Sequence, residues 1–339
     1  MWLYNSVPQD PLSCLDYQNE VGIWWRSLED MLIRVSIGTA AVLGLKKIRM
    51  RYLPYTAYLM TYNEGRCAAN CLFCTQARES RSDIDKLSRV VWPAFPLSEV
   101  SNRLRRTDTF KRLCIQCIKM QGLKDYLLSV LNELKDLDMP KSVSIHPIGM
   151  DFMMKLKELG VSDIGISIDA ANPELFYRIK GKGANGPYSW DNHMKALRDA
   201  VKVFGRYHVT THLIVGLGEK DSDLVRLMFK MKDMGVNTAL FAFTPMKGTM
   251  MENIPRPDIK RYRKVQLARY LIYKGLILPE DVLFDDGNIS GFRIDENILR
   301  RIEERKVAFY TSGCKFCNRP FYNEDPSGPL YNIPLLEEE

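Results

Sequence analysis

Eight cysteines stand at positions 14, 67, 71, 74, 114, 117, 314 and 317, and seven of them lie within four residues of another. At a cysteine frequency of roughly one in forty, a C-x-x-C pair should arise about 0.2 times in such a chain. Three occur, at Cys71/Cys74, Cys114/Cys117 and Cys314/Cys317. Clustering of this kind means shared ligation or redox chemistry. Disulfides are the plain alternative, but a 339-residue chain has core enough without cross-links. It also opens without a basic, then apolar, signal sequence, so it reads as a cytoplasmic protein whose thiols stay reduced. Zinc competes for Cys114, Cys117, Cys314 and Cys317, since two C-x-x-C pairs can form a tetrahedral thiolate site. Cys14, alone, reads as a small buried hydrophobe.

Cys67, Cys71 and Cys74 differ, because RCAANCLFCTQ sets three thiolates close together with no histidine at zinc-finger spacing. Three thiolates can hold three irons of a cubic [4Fe-4S] cluster and leave the fourth iron open to a substrate or cofactor. With Phe73 just before the last cysteine, the motif resembles the signature of the radical S-adenosylmethionine (SAM) superfamily. The resemblance implies that SAM chelates the open iron and that the reduced cluster breaks a carbon–sulfur bond. The resulting 5′-deoxyadenosyl radical then takes an unactivated hydrogen atom. The protein's own task is to hold the cofactor, orient the substrate and exclude water.

These thiols need a scaffold. From Tyr55 onward short β-like segments alternate with amphipathic helical ones, the pattern of a parallel sheet with crossover helices. Strands are predicted near Ala57–Tyr62, Arg112–Gln116, Ser142–His146, Asp163–Asp169, His208–Val215, Thr238–Ala242, Val282–Phe284 and Ala308–Tyr310. Helices are predicted at Lys124–Leu137, Asp151–Leu159, Trp190–Val203, Asp221–Met234 and Asp258–Tyr273. The fold class is therefore α/β, a (β/α)8 TIM-type barrel over 55–310. It has an N-terminal helical extension over 1–54, patterned by Ile23, Leu28, Met31, Leu32 and Val35, and a cluster-binding C-terminal segment over 311–339. Chemistry in such a barrel sits at the C-terminal ends of the strands, where all three cysteine motifs are expected to meet.

Other motifs are weaker. GKGANG at 181–186 matches G-x-G-x-x-G but lacks the strand-turn-helix context of a dinucleotide site, so it reads as a loop, with Arg178, Lys180 and Lys182 available to an anion. THLIVGLGEKD resembles the segment that packs backbone against the adenine of SAM in this superfamily, which implies contacts from Ile214, Gly216 and Glu219. His212 stands where that segment often has glycine. In GISIDAA, strand alternation puts Ser167 and Asp169 on one face; Asp169 suits ribose hydroxyls or, equally, a helix N-cap. His208 and His212 lie about 13 Å apart on a strand and cannot share an ion.

Hydrophobic residues at 46%, charged residues at 26% and a net charge of +7 describe a folded protein with a modest basic excess. The apolar stretch from Val35 to Leu45 falls short of the roughly 20 residues a membrane span needs. No RNA-binding module is visible beyond scattered basic clusters at 46–51, 103–106 and 260–264, so a nucleic-acid partner is not expected.

The stretch from Thr56 to about Thr249 resembles the biotin synthase branch, but SVSIHPIG and THLIVGLGE lack the cysteines that hold the biotin synthase sulfur-donor cluster. RLCIQC together with GCKFCNRPFYNEDPSGPLYNIP resembles the two-protein lipoyl synthases. That resemblance implies two [4Fe-4S] clusters plus SAM, with Cys67, Cys71 and Cys74 on the first cluster and Cys114, Cys117, Cys314 and Cys317 on a sacrificial second. It implies sulfur insertion at C6 or C8 of an octanoyl chain on a lysine of a lipoyl carrier protein, either a glycine-cleavage H protein or a dehydrogenase-complex lipoyl domain. A second radical SAM lipoyl synthase subunit and an external electron donor are the other implied partners. Arg319, Tyr322 and Asn323 are possible residues of the barrel mouth. A biotin synthase-like enzyme, or a non-sulfur maturase or mutase with an auxiliary cluster, remains the rival reading.

Overall fold

A computed structural model describes residues 31–325 and 327–334. Cys14, Ile23, Leu28 and the acidic tail at 337–339 lie outside the described residues. The strands are β1 (Leu32–Val35), β2 (Thr56–Thr61), β3 (Lys86–Leu87), β4 (Val90–Val91), β5 (Ala94–Pro96), β6 (Arg112–Gln116), β7 (Lys141–Ser144), β8 (Val161–Gly165), β9 (Val209–Val215), β10 (Val236–Ala242), β11 (Val282–Asp285) and β12 (Asn288–Phe292). The helices are α1 (Ile37–Val42), α2 (Leu97–Leu104), α3 (Leu123–Glu133), α4 (Met150–Glu158), α5 (Pro173–Ile179), α6 (Trp190–Phe204), α7 (Asp221–Met234), α8 (Ile259–Lys274) and α9 (Glu296–Glu304).

The central sheet runs β10-β9-β8-β7-β6-β2-β1-β5. Pairing is parallel from β2 through β10, and β1 lies antiparallel to both β2 and β5. Period-two alternation explains both faces of the parallel part. Ala57, Leu59, Leu113, Ile115, Val143, Leu213 and Leu240 point outward into the main apolar core under the helices. The opposite face carries Cys114, Gln116, Ser142, Ser144, Ser167, Thr210 and His212, which line a cavity. A closed eight-stranded barrel fills its interior with branched apolar side chains; this TIM-type arc of six parallel strands keeps a polar interior instead.

The strand count differs from the expected eight for two local reasons. Val282–Asp285 pairs with Asn288–Phe292 in a separate hairpin. Asp286 and Gly287 both have positive φ at its turn, the conformation an Asp-Gly pair favours. Only Val282 of that strand is buried, so it carries one apolar anchor and no inner face. Val307–Phe309 is a single 3-10 turn. Residues Leu32–Val35, expected in a helical pattern, form β1 because Ile33 and Val35 pair with Thr61 and Leu59.

The free edge of β10, which further strands would have covered, is satisfied by side chains. Tyr273 Oη donates to the Val236 carbonyl at 2.6 Å, and Arg269 Nε donates to the Thr238 carbonyl. Leu240 N–H donates to Ser312 Oγ at 2.9 Å, and Asn323 Nδ2 donates to the Ala242 carbonyl at 2.9 Å. The last two partners belong to a C-terminal strap. From Ser312 the strap passes under the barrel, where Arg112 Nε donates to the Lys315 carbonyl at 2.9 Å and Thr56 Oγ1 to the Phe316 carbonyl at 2.8 Å. Thr56 and Arg112 are the first residues of β2 and β6, so Cys314 and Cys317 enter from the N-terminal end of the strands, opposite to the expected rim. From there the strap climbs β10 to Ala242.

Candidate active site

All seven described cysteines are free thiols and border one cavity of about 760 Å³. At its upper end the loop after β2 is rigid. Cys67 N–H donates to the Gln76 carbonyl at 3.0 Å, Cys74 N–H to the Cys71 carbonyl at 2.9 Å, and Leu72 N–H to the Ile179 carbonyl at 2.9 Å. Asn70 Nδ2 donates to the Ala184 carbonyl at 2.8 Å. The glycine-rich loop at 181–186 therefore braces the cysteine loop. Cys67 Sγ accepts from Lys119 N–H at 3.2 Å and from Ala69 N–H at 3.4 Å, contacts that favour a thiolate.

Burial pushes the Cys67 and Cys71 thiols up, and Cys74 up to about 12, with Cys67 beside it adding to the rise. Thiols so buried ionise only against a strong local cation, which metal ligation supplies. Three such thiols, two N–H donors on one sulfur and no histidine among them fit an iron–sulfur cluster. Among the described residues no three Cys, His, Asp or Glu side chains converge on a point where one metal ion would sit. A four-iron cube is wider than a single ion and spreads its thiolates further than a tetrahedral zinc site does.

Beside this loop, Asp169 adopts a left-handed backbone, φ +67°, and its carboxylate pairs with Lys180 Nζ at 2.6 Å. Asn172, not Asp169, caps α5 by accepting from Leu175 N–H, so the N-cap alternative for Asp169 falls. Lys180 stands 5.4 Å from the centre of the Tyr188 ring and is one of the charges that ease ionisation of Cys71. Ser167 Oγ and His212 Nδ1 are 2.7 Å apart, and burial drives the His212 pKa down to about 3, leaving the ring neutral. His208 faces Asp163 instead, at 3.3 Å.

Phe73, Ser167, Asp169 and Ile214 border the cavity, whereas Gly216 and Glu219 do not. The Glu219 carboxylate accepts from Gly216 and Leu217 N–H, each at 2.8 Å, and pairs with Arg261 at 2.8 Å. It holds the loop from behind. Gly216 has φ +107°, and a Cβ there would meet Pro257 Cδ at 2.9 Å.

At the lower end, Gln116 Nε2 donates to Cys114 Sγ at 3.0 Å, Thr210 Oγ1 lies 3.6 Å from Cys314 Sγ, and Tyr58 Oη lies 3.5 Å from Cys317 Sγ. The Cys114 thiol is pushed up first by burial, then by Cys314 and Cys317 beside it. Cys117 also borders the cavity but packs partly against the apolar core, and it is not among the thiols that raise Cys114. Tyr58 was missed in the sequence, although it is the register partner of Cys114 on β2. Tyr58, Met60, Trp92 and Ile118 form an apolar cluster that touches Cys67 above and Cys114 and Cys317 below.

Residues 65–231 match the Radical SAM superfamily. The chain's curated relatives include a biotin synthase of Hydrogenobaculum sp., 24% identical over 204 residues that make up 58% of this chain and 57% of that protein. A biotin synthase of Methanococcus maripaludis is 21% identical over 79% of this chain and 78% of that one. A GTP 3′,8-cyclase of Limosilactobacillus fermentum is 21% identical over 61% and 60%. The match thus spans little more than half of the Hydrogenobaculum relative. Among solved structures, HydG, a maturase of the [FeFe]-hydrogenase, superposes with a TM-score of 0.52 at 15% identity, covering 64% of this chain and 50% of that one. HydG of Carboxydothermus hydrogenoformans gives 0.51 at 16% identity, over 74% and 66%. These likenesses show a TIM-type fold.

The matched superfamily implies a [4Fe-4S] cluster and SAM, and the matched span contains Cys67, Cys71, Cys74, Cys114 and Cys117. Cys314 and Cys317 lie beyond the matched span. No described helix is long and apolar enough to cross a membrane.

Proposed function

We propose that the chain is a radical SAM sulfur-insertion enzyme of the lipoyl synthase type, acting at C6 or C8 of an octanoyl-lysine on a lipoyl carrier protein. The observation that carries this reading is the pair of half-buried thiol groups at the two ends of one cavity, joined by an apolar wall. Cys67, Cys71 and Cys74 would hold the first cluster, which with SAM supplies a 5′-deoxyadenosyl radical when bound. Lys180 and Asp169 offer a cation and a carboxylate to the charged and hydroxylated parts of SAM. The lower thiols would hold the second cluster as sulfur source.

The wall of Tyr58, Met60, Trp92 and Ile118 suits an alkyl chain. An unactivated chain has no polar handle, so its placement rests on apolar contact and on exclusion of water. Trp92, only 2% exposed, closes that side. The carrier would dock at the rim, where Ile48–Arg51 border the cavity and Lys46, Lys47, Arg49 and Arg51 are exposed. No ion pair occupies any of these four among the described residues. Such a rim favours an acidic carrier. A second radical SAM subunit would insert the other sulfur, and an external donor would reduce the first cluster.

Anaerobic reconstitution should load about eight irons per chain. Incubation of the reduced protein with SAM and an octanoyl-lysyl peptide should then give a thiolated peptide by mass spectrometry. Deoxyadenosine without sulfur in the peptide would favour the non-sulfur maturase or mutase reading and overturn this one.

A further inference from the structure

The alternation of β6 decides which of its two cysteines can serve a cluster. Leu113 and Ile115 point outward and are fully buried in the core, whereas Cys114 and Gln116 face the cavity, where they touch each other. The extended ladder continues one residue further, since Cys117 N–H donates to the Ser144 carbonyl at 2.8 Å. One more step in an extended strand turns the side chain outward. Cys117, which also borders the cavity, accordingly packs partly against the core that holds Leu113 and Ile115, close to Tyr126 on α3, and is not beside Cys114. Cys314 and Cys317 face inward from the strap, as Thr210 and Tyr58 contacts show.

We infer that the second cluster is held by three thiolates, Cys114, Cys314 and Cys317, that Cys117, although it borders the cavity, is not a ligand, and that the fourth corner is open to the cavity and takes a donor from outside the chain. This rests on the proposed presence of a second cluster. Several nearby side chains of ligand type are already engaged. Arg112 binds Ser142 at 2.6 Å and Asp163 at 2.7 Å, and Asp163 also faces His208. The hydroxyls of Tyr58 and Thr210 are turned to Cys317 and Cys314, and Ser167 is turned to His212. No carboxylate or imidazole is left at the floor among the described residues. An open corner would also let one iron leave without first breaking a fourth thiolate bond.

The test removes the upper cluster with Cys67→Ala, Cys71→Ala and Cys74→Ala together and follows iron, sulfide and the electron paramagnetic resonance of the reduced protein. About four irons should remain. Adding Cys117→Val, which keeps apolar volume and cannot ligate, should leave both the iron content and the spectrum unchanged. Adding Cys314→Ala should remove the irons. Cyanide, used as the probe ligand, should shift the spectrum. Loss of the irons with Cys117→Val in a chain of native circular dichroism, or a spectrum that cyanide leaves unaltered, would overturn the three-thiolate site while sparing the second cluster. No iron in the folded triple variant would overturn both.

Discussion

Tyr58 Oη lies 3.5 Å from Cys317 Sγ across 259 residues of sequence, and the same oxygen accepts from Arg319 N–H at 3.0 Å. One buried phenol therefore fastens the C-terminal strap to the first parallel strand. Its pKa is pushed well up, by burial first and by Cys317 second, so it stays a neutral donor. Tyr58→Phe leaves the Arg319 amide without its acceptor. The expected cost is about 1–3 kcal/mol, measured by urea unfolding of the anaerobic protein.

The capped edge of β10 makes a separate prediction. Ser312→Ala strips the acceptor from the buried Leu240 N–H, and Asn323→Ala strips the donor from the Ala242 carbonyl. Each should destabilise the fold by about 1–3 kcal/mol. An edge so exposed can pair with another chain, so light scattering should reveal association in the double variant. Unchanged stability and monodispersity would show that the strap is not what protects this edge.

Asp169 and Lys180 form a nearly buried ion pair. Removing one partner leaves an uncompensated charge, so Lys180→Met should cost about 3–5 kcal/mol. The pair Asp169→Asn with Lys180→Met should recover part of that loss. Both variants should also weaken SAM binding, read by equilibrium dialysis on the reconstituted protein.

Three histidines shielded from water, one fully and two partly, set an acid limit. Burial drives the pKa of His146 down to about 4, of His193 to about 2 and of His212 to about 3. Each depressed value means that the unfolded state takes up the proton first. The stability these neutral rings contribute is complete above about pH 6.5 and is lost as pH falls toward 4, at up to ~1.4 kcal/mol per unit for each ring. Urea titrations at pH 7 and pH 5 should show the loss, and His193→Gln should reduce its slope by about a third.

Much of this was legible in the sequence because the signals were local. The bounds of α7 were read without error, since Asp221 opens its apolar period and Gly235, φ +76°, ends it. The triplet at 67, 71 and 74 was legible because a single loop carries it. For the Cys114/Cys117 pair, spacing alone does not tell a loop from a strand, and an extended strand turns residues three apart onto opposite faces. Cys314 and Cys317 were placed at the wrong end of the barrel for another reason. The strap's course is fixed by contacts such as Asn318 Nδ2 to the Leu53 carbonyl, 265 residues away, which no local pattern encodes.

The basic rim gives the last prediction. Arg49 and Arg51 are exposed at the cavity mouth, so reversing them with Arg49→Glu and Arg51→Glu should change docking and leave the thiol sites intact. Electrostatic complementarity acts mainly on encounter, so kcat/KM for a carrier-borne octanoyl-lysine should fall about tenfold with kcat nearly constant. For a short, uncharged octanoyl-lysyl peptide neither constant should move, because the peptide reaches the cavity without meeting the rim as a surface. Added salt should erode the wild-type advantage on the carrier substrate, since exposed charges are screened beyond about 8 Å at physiological ionic strength. Equal losses on both substrates would mean that the arginines shape the cavity itself, and the carrier would then have to dock on another face.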